Sequence, residues 1–299
     1  MTSLPATASF PGTLRDLVSL TKPRITFLVI TTSAGGLWLA PGTPDFVRSI
    51  VAVLATAAVV MSANALNCWM ERVSDRAMTR TMNRPLPAGR LDPNVALIFG
   101  LSLAAVSVPL LVLLVNPITG LLGAIALVMY VWMYTPLKQR TWTALLVGAV
   151  PGAMPPLMGW TASTGRVELP GLVLFAILFI WQIPHFIAIS VFRQGEYERA
   201  GIRVLPSAVG VRASKVHMLL WCLALVPVSL VLVPLGVAGN AYLVAASLLG
   251  ALFVGACVSG FRAKGPTVEA VDHKWARRVF GVSLVYLTLL FGVLLADAV

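Results

Sequence analysis

The sequence predicts an all-α polytopic membrane protein, with nine transmembrane helices around a central cavity and the amino terminus in the cytoplasm. Three observations carry this. Of 299 residues, 58% are hydrophobic and only 11% charged, whereas soluble domains carry about a quarter charged residues. The apolar residues come in continuous runs of about 20, the length that crosses a hydrocarbon core about 30 Å thick; unbroken rather than alternating runs select helices over a closed barrel. The charges, finally, are segregated into alternate connections between those runs.

The first span, 22–40, has Lys22 and Arg24 at its mouth. The second, 49–69, runs directly into the polar stretch that follows Asn67. The third and fourth, 94–115 and 118–135, are joined by a tight Asn116-Pro117. A short Thr135–Arg140 link leads to the fifth, 142–160, where Pro151, Pro155 and Pro156 predict a kinked helix lining something irregular. The sixth, 171–192, contains Trp181-Gln182-Ile183-Pro184-His185-Phe186. The seventh and eighth, 216–237 and 241–260, meet at Ala238-Gly239-Asn240, and the ninth is 279–297. Residues 1–16 are mostly polar or small, include Pro5 and Pro11, and read as a cytosolic tail without a cleaved signal. Residues 17–299 then form a single domain.

The tail and the connections after the even-numbered spans hold 20 of the 22 Lys and Arg; only Arg48 and Arg166 lie on the other face. The positive-inside rule places the amino terminus in the cytoplasm and, with nine spans, the carboxyl terminus outside. The net charge of +11 is thereby explained as topology, with no nucleic-acid partner. The long connections 70–93, 193–215 and 261–278 share the basic face, which is where function is expected. Eight of eleven acidic residues lie there too, and topology alone needs only the positive charges. Cys68, Cys222 and Cys257 have neither metal-ligand nor disulfide-framework spacing.

Asn67, Glu71 and Asp75 recur at i, i+4 and i+8, so on a helix their oxygens form one stripe. A polar stripe entering a membrane needs a cavity, a partner or an ion. Oxygen-only donors suit Mg²⁺, which commonly binds through one or two carboxylates plus substrate phosphates. Arg80 and Arg84 follow, and arginine forks match phosphate oxygens. A second acidic and basic patch, Arg193 to Arg203 with Glu196 and Glu198, lies four spans later. Spans 1–4 and 5–8 therefore read as two related halves with a ninth helix appended. Two facing acidic ends of this kind could hold Mg²⁺ against one diphosphate. Interfacial salt bridges on a helix end, and a solvated charged loop, stay open for the two patches. His185, inside a span, is a candidate metal ligand, including for heme iron, or a hydrogen-bonding group; a histidine bonded to a neighbouring helix is the competing reading.

The stretch from Asn67 to Pro85 resembles the first signature, N-x-x-x-D-x-x-x-D, of the UbiA superfamily of intramembrane prenyltransferases, with Glu71 at the position of the usual Asp. Thr21-Lys22-Pro23-Arg24-Ile25, Asn83-Arg84-Pro85-Leu86, Tyr134-Thr135-Pro136-Leu137-Lys138, Pro155-Pro156, Pro184-His185-Phe186 and Glu196-Tyr197 resemble the heme O synthase branch of that family. The second signature, D-x-x-x-D, is degenerate, with Glu196 at its first position and Ala200 at its second. The resemblance implies transfer of a farnesyl group from farnesyl diphosphate to the vinyl group of protoheme IX, with water addition. It implies Mg²⁺ held by Asn67, Glu71, Asp75 and Glu196. Diphosphate would be held by Arg80, Arg84, Lys138 and Arg193, with Asn67, Glu71, Asp75 and Lys138 catalytic and His185 a heme contact. Implied partners are the lipid bilayer and, downstream, heme A synthase or terminal oxidase assembly proteins. The expected location is the cell plasma membrane rather than the mitochondrial inner membrane, since no Arg- and Ser-rich presequence opens the chain. Alternatives are a family member with an aromatic or quinone-precursor acceptor, a transporter of an anionic or heme-like solute, and a non-catalytic heme-binding assembly factor.

Overall fold

The computed structural model describes residues 14–42, 45–262 and 267–299. Among them the chain is helical, and its only extended pairing is an isolated bridge between Ala238 and Ala298. The helices are α1 (Leu14–Leu20), α2 (Pro23–Leu39), α3 (Phe46–Met70), α4 (Pro93–Val115), α5 (Pro117–Leu137) and α6 (Ala144–Thr164). They continue as α7 (Leu169–Phe192), α8 (Gln194–Arg199), α9 (Leu205–Leu230), α10 (Asn240–Arg262) and α11 (Val268–Ala296). Of the expected tail, residues 1–13 lie outside the described residues, and α1 begins right after them, docking Leu17 and Leu20 against Leu86, Leu91 and Ala96.

Helix starts follow from local chemistry. Proline opens α2, α4 and α5, where a missing N–H costs nothing. Asp45, Asp92, Asn116 and Thr267 accept backbone N–H bonds at the starts of α3, α4, α5 and α11. Among the described residues seven helices, α3, α4, α5, α7, α9, α10 and α11, are long and apolar enough to cross a membrane. Phe27, Trp38, Leu113 and Trp132 are more than 70% exposed; a belt of such side chains is expensive in water and at home in lipid. This is an integral membrane protein. The other two expected spans are α2, at 17 residues, and α6, whose apolarity is diluted by three prolines and three glycines.

α2 and α6 pack on each other and join α2–α5 to α6–α11. Their crossing is tight. A Cβ on Gly36 would meet the Pro156 carbonyl oxygen at 2.0 Å, and one on Gly159 would meet that of Ser33 at 1.9 Å. α6 is continuous through its three prolines, and Pro156 lies at the close crossing with α2. α7 is the central helix, with 67% of its apolar window buried; α6, α9 and α11 pack around it.

Three boundaries differ from the sequence reading. α9 ends at Leu230, not 237, and begins at Leu205, not 216, with its helical dihedrals interrupted at Gly210 (φ 82°, ψ 162°). α11 begins at Val268, not 279. Both extensions are charged, which hides them from an apolar-run reading, but they pack on each other. Lys215 Nζ donates to Asp272 Oδ1 (2.5 Å) and to the Gly260 carbonyl (2.8 Å), and the Trp275 indole donates to the Ala256 carbonyl (2.9 Å). Among the described residues, the expected long connections 193–215 and 261–278 are thus largely helical.

Candidate active site

The stripe survives the end of its helix. α3 stops at Met70, yet the Glu71 N–H still bonds the Asn67 carbonyl (2.9 Å) and the Asp75 N–H the Glu71 carbonyl (2.8 Å). The i, i+4 register therefore runs into the 3₁₀ turn Ser74–Ala77. Asn67 and Asp75 are each 1% exposed.

Every member of the stripe faces a cation. Lys22 Nζ donates to Asn67 Oδ1 at 3.1 Å. Lys138 pairs with Glu71. Arg84 donates to Asp75 Oδ2 at 2.7 Å. Lys22 and Lys138 come from segments far from the stripe, so the fold assembles those two contacts, whereas Arg84 lies nine residues beyond Asp75 in the same connection. The Thr81 hydroxyl donates to the Asp75 carbonyl (2.8 Å) and braces the turn that carries Arg84.

Lys22 is placed by backbone geometry. It is the one non-glycine among the described residues at positive φ (φ 50°), a conformation that costs an L-residue about 1–2 kcal/mol. The Thr21 carbonyl accepts from Asn64 Nδ2 (3.3 Å) and the Thr26 hydroxyl (2.8 Å), which fixes the turn. Strain held by surrounding bonds is a mark of functional positions. Sequence reasoning left Lys22 off the site; its signal was a lysine directly before the proline that opens a span.

Lys138 is placed by a π turn. Met129–Tyr134 is π-helical, and the Thr135 N–H closes it on the Tyr130 carbonyl. Such turns cluster at functional sites. Here it directs Thr135 inward, where its hydroxyl accepts from Asn67 Nδ2 at 3.1 Å and donates to the Tyr130 carbonyl at 2.8 Å. Lys138 Nζ lies 4.8 Å from the Tyr134 ring centre, and that ring packs where a Cβ on Gly148 would meet it at 2.5 Å. Burial works against the Lys138 charge, but Tyr134 and Glu71 outweigh it and hold the ammonium above the usual lysine range.

The second patch stands apart. Glu196 pairs with its own neighbour Arg193 (2.9 Å), and Glu198 accepts from Gln194 and Ser207. Arg80 is exposed, with no ion pair to the stripe. The segment nevertheless reaches the first patch through its backbone: the Arg203 N–H donates to the Lys138 carbonyl (3.0 Å). His185 lies deeper in α7, with Nδ1 2.7 Å from the Ser283 hydroxyl and its ring between Trp181 and Phe280.

Among the described residues no three His, Cys, Asp or Glu side chains gather closely enough to hold a metal ion. The donor set present is one amide and two carboxylates in register, all oxygen. That fits Mg²⁺, which keeps several waters and completes its shell with substrate oxygens, and does not fit a softer metal.

A family model described as the UbiA prenyltransferase family matches residues 28–276. A protoheme IX farnesyltransferase of Myxococcus xanthus (strain DK1622) is 53% identical over 291 residues, 97% of each chain. Among solved structures, a digeranylgeranylglyceryl phosphate synthase superposes with a TM-score of 0.80 at 18% identity, over 95% of this chain and 98% of that one. A UbiA homolog from Archaeoglobus fulgidus bound to GPP and Mg²⁺ does so at 0.64 and 13% identity, over 93% and 99%.

Proposed function

The chain belongs to the UbiA prenyltransferase family, and from that premise we propose that it transfers a farnesyl group from farnesyl diphosphate to the vinyl group of protoheme IX, giving heme O and diphosphate. The observation that carries the reading is the pairing of Asn67, Glu71 and Asp75 with Lys22, Lys138 and Arg84. Three basic side chains around three oxygen donors form a ready site for a metal-bound diphosphate: the donors suit the metal, and the cations suit the phosphate oxygens. The near full-length likeness to a protein named for this reaction supports the choice of donor and acceptor.

Asn67, Glu71 and Asp75 would hold Mg²⁺, and Glu196 would join them only by leaving Arg193. When bound, the metal neutralises diphosphate charge and so improves the leaving group. Lys22, Lys138 and Arg84 would turn from the stripe to the phosphate oxygens, stabilising the charge that develops as the allylic C–O bond breaks. Arg80 would add to the field at the mouth. The farnesyl chain lies in the apolar interior, where water is kept from the allylic cation. The heme vinyl group bonds to the allylic carbon, and water adds to the resulting cation with loss of a proton. The site lies on the basic, cytoplasmic face of the plasma membrane, with nine crossings of the chain. Heme A synthase or terminal oxidase assembly proteins would take the product.

The test incubates the protein in detergent with protoheme IX, farnesyl diphosphate and Mg²⁺, then looks by mass spectrometry for hydroxyethylfarnesyl heme. Product that disappears with EDTA is expected. Turnover of a quinone precursor in place of protoheme would keep the family and discard the acceptor.

A further inference from the structure

The seam between α7 and α11 carries a ladder of side chains that the donor site does not use. Arg277, Phe280 and Ser283 stand three apart on α11 and share one face. On α7, His185 and Phe192 stand seven apart and also share a face. The two faces meet rung by rung. At the basic end, the guanidinium carbons of Arg193 and Arg277 each lie 5.7 Å from the centre of the Phe192 ring. Phe192 packs edge-on against Phe280 (5.9 Å). Phe280 lies 4.8 Å from the His185 ring, and His185 Nδ1 is 2.7 Å from the Ser283 hydroxyl.

The charges of this ladder are not balanced. Two guanidiniums converge on one ring, and Glu196, paired with Arg193, is the single carboxylate there; among the described residues none pairs with Arg277. Two like charges held together on a neutral ring repel each other unless an anion joins them. Arg277 is exposed and free to receive one. Below the cations the rungs are aromatic, with Phe192 edge-on to Phe280 and Phe280 tilted against His185, and they run along the apolar helices α7 and α11. A surface cationic at one edge and aromatic beyond it is the complement of a macrocycle that bears two carboxylates on one side.

We propose that Arg277 and Arg193 bind the two propionates of the protoheme acceptor, with the macrocycle edge laid along Phe192 and Phe280. This rests on the acceptor named above and deepens it. The segment that begins at Arg193 ends on the donor site, where the Arg203 N–H bonds the Lys138 carbonyl, so a macrocycle anchored here is tied to the group that would face the diphosphate.

Protoheme IX and its dimethyl ester would be titrated by difference spectroscopy into the detergent-solubilised protein and into Arg277→Gln and Arg277→Lys, with KM for farnesyl diphosphate measured alongside. Arg277→Gln is expected to weaken protoheme binding about tenfold, the loss of roughly one charge-assisted contact, while KM for farnesyl diphosphate stays unchanged. The ester should bind wild type and Arg277→Gln equally poorly, and Arg277→Lys should recover part of the preference for the free acid. An acid-to-ester preference undiminished in Arg277→Gln would overturn the inference, as would a shift confined to farnesyl diphosphate. Acid-selective binding without turnover would keep the ladder and discard the catalytic reading.

Discussion

At the scale of single residues, the Arg84–Asp75 pair has members of very different exposure, and this separates stability from activity. Asp75 is 1% exposed and its partner Arg84 27%. Removing Arg84 leaves a buried carboxylate uncompensated, which costs about 3–5 kcal/mol, so Arg84→Ala should lose both Tm and turnover. Asp75→Asn keeps the side chain's shape and one acceptor; it should remain folded, by thermal denaturation in detergent, while losing heme O formation. Near-normal product from that variant would remove Asp75 from the site. Lys22→Met keeps the aliphatic stem and deletes the ammonium. We expect kcat to fall about 10²–10³-fold, as for loss of one preorganised donor to developing charge, with acceptor KM unchanged; a loss seen only in KM would make Lys22 a binding residue without a part in the chemistry. Arg80→Ala, at an exposed position outside the pairs, should change stability by no more than about 0.5 kcal/mol.

At the scale of helices, glycines divide into those that a neighbour requires and those that nothing requires. Gly36→Ala and Gly159→Ala would each drive a methyl into a facing carbonyl and force α2 and α6 apart, a cost of about 3 kcal/mol or more. Gly255 in α10 and Gly281 in α11 have nothing within 4 Å of a built Cβ; Ala there should stabilise by about 0.5–1 kcal/mol through the unfolded chain and helix propensity. Parallel melts of the four variants check the contrast, and a stable Gly36→Ala would dissolve the proposed crossing. The same comparison shows what a sequence makes legible. Apolar runs located most helix starts within a few residues, because the stretch that must match the membrane core is written continuously in the chain. The charged extensions of α9 and α11 were missed because their stabilisation comes from Lys215, Asp272 and Trp275 contacts made far apart in the chain. The Asn67-Glu71-Asp75 register was readable because it is local; that Lys22 faces it from 45 residues away was not, since no short-range pattern encodes that approach.

At the scale of the whole molecule, the remaining question is which way and how often the chain crosses the bilayer, and the charge distribution makes a definite prediction. All but two of the 22 Lys and Arg fall on one side of the nine-span reading. The exceptions differ in setting. Arg48 is partly buried and its guanidinium donates to the Val115 carbonyl at 2.5 Å, so it satisfies the carboxyl end of α4 rather than marking topology. Arg166 lies just beyond the end of α6. The three native cysteines are buried and should stay silent towards a membrane-impermeant maleimide. In intact spheroplasts, Arg166→Cys should therefore label from outside, whereas Arg76→Cys and Arg199→Cys should label only after the membrane is opened. That labelling would place the stripe, its three cations and the Arg193–Arg277 ladder together on the cytoplasmic side, as the charge distribution predicts. Labelling of Arg76→Cys and Arg199→Cys from opposite sides would require an odd number of crossings between them. It would break α6, which lies between them, out of the count of spans and separate the Arg203–Lys138 link that joins the two patches.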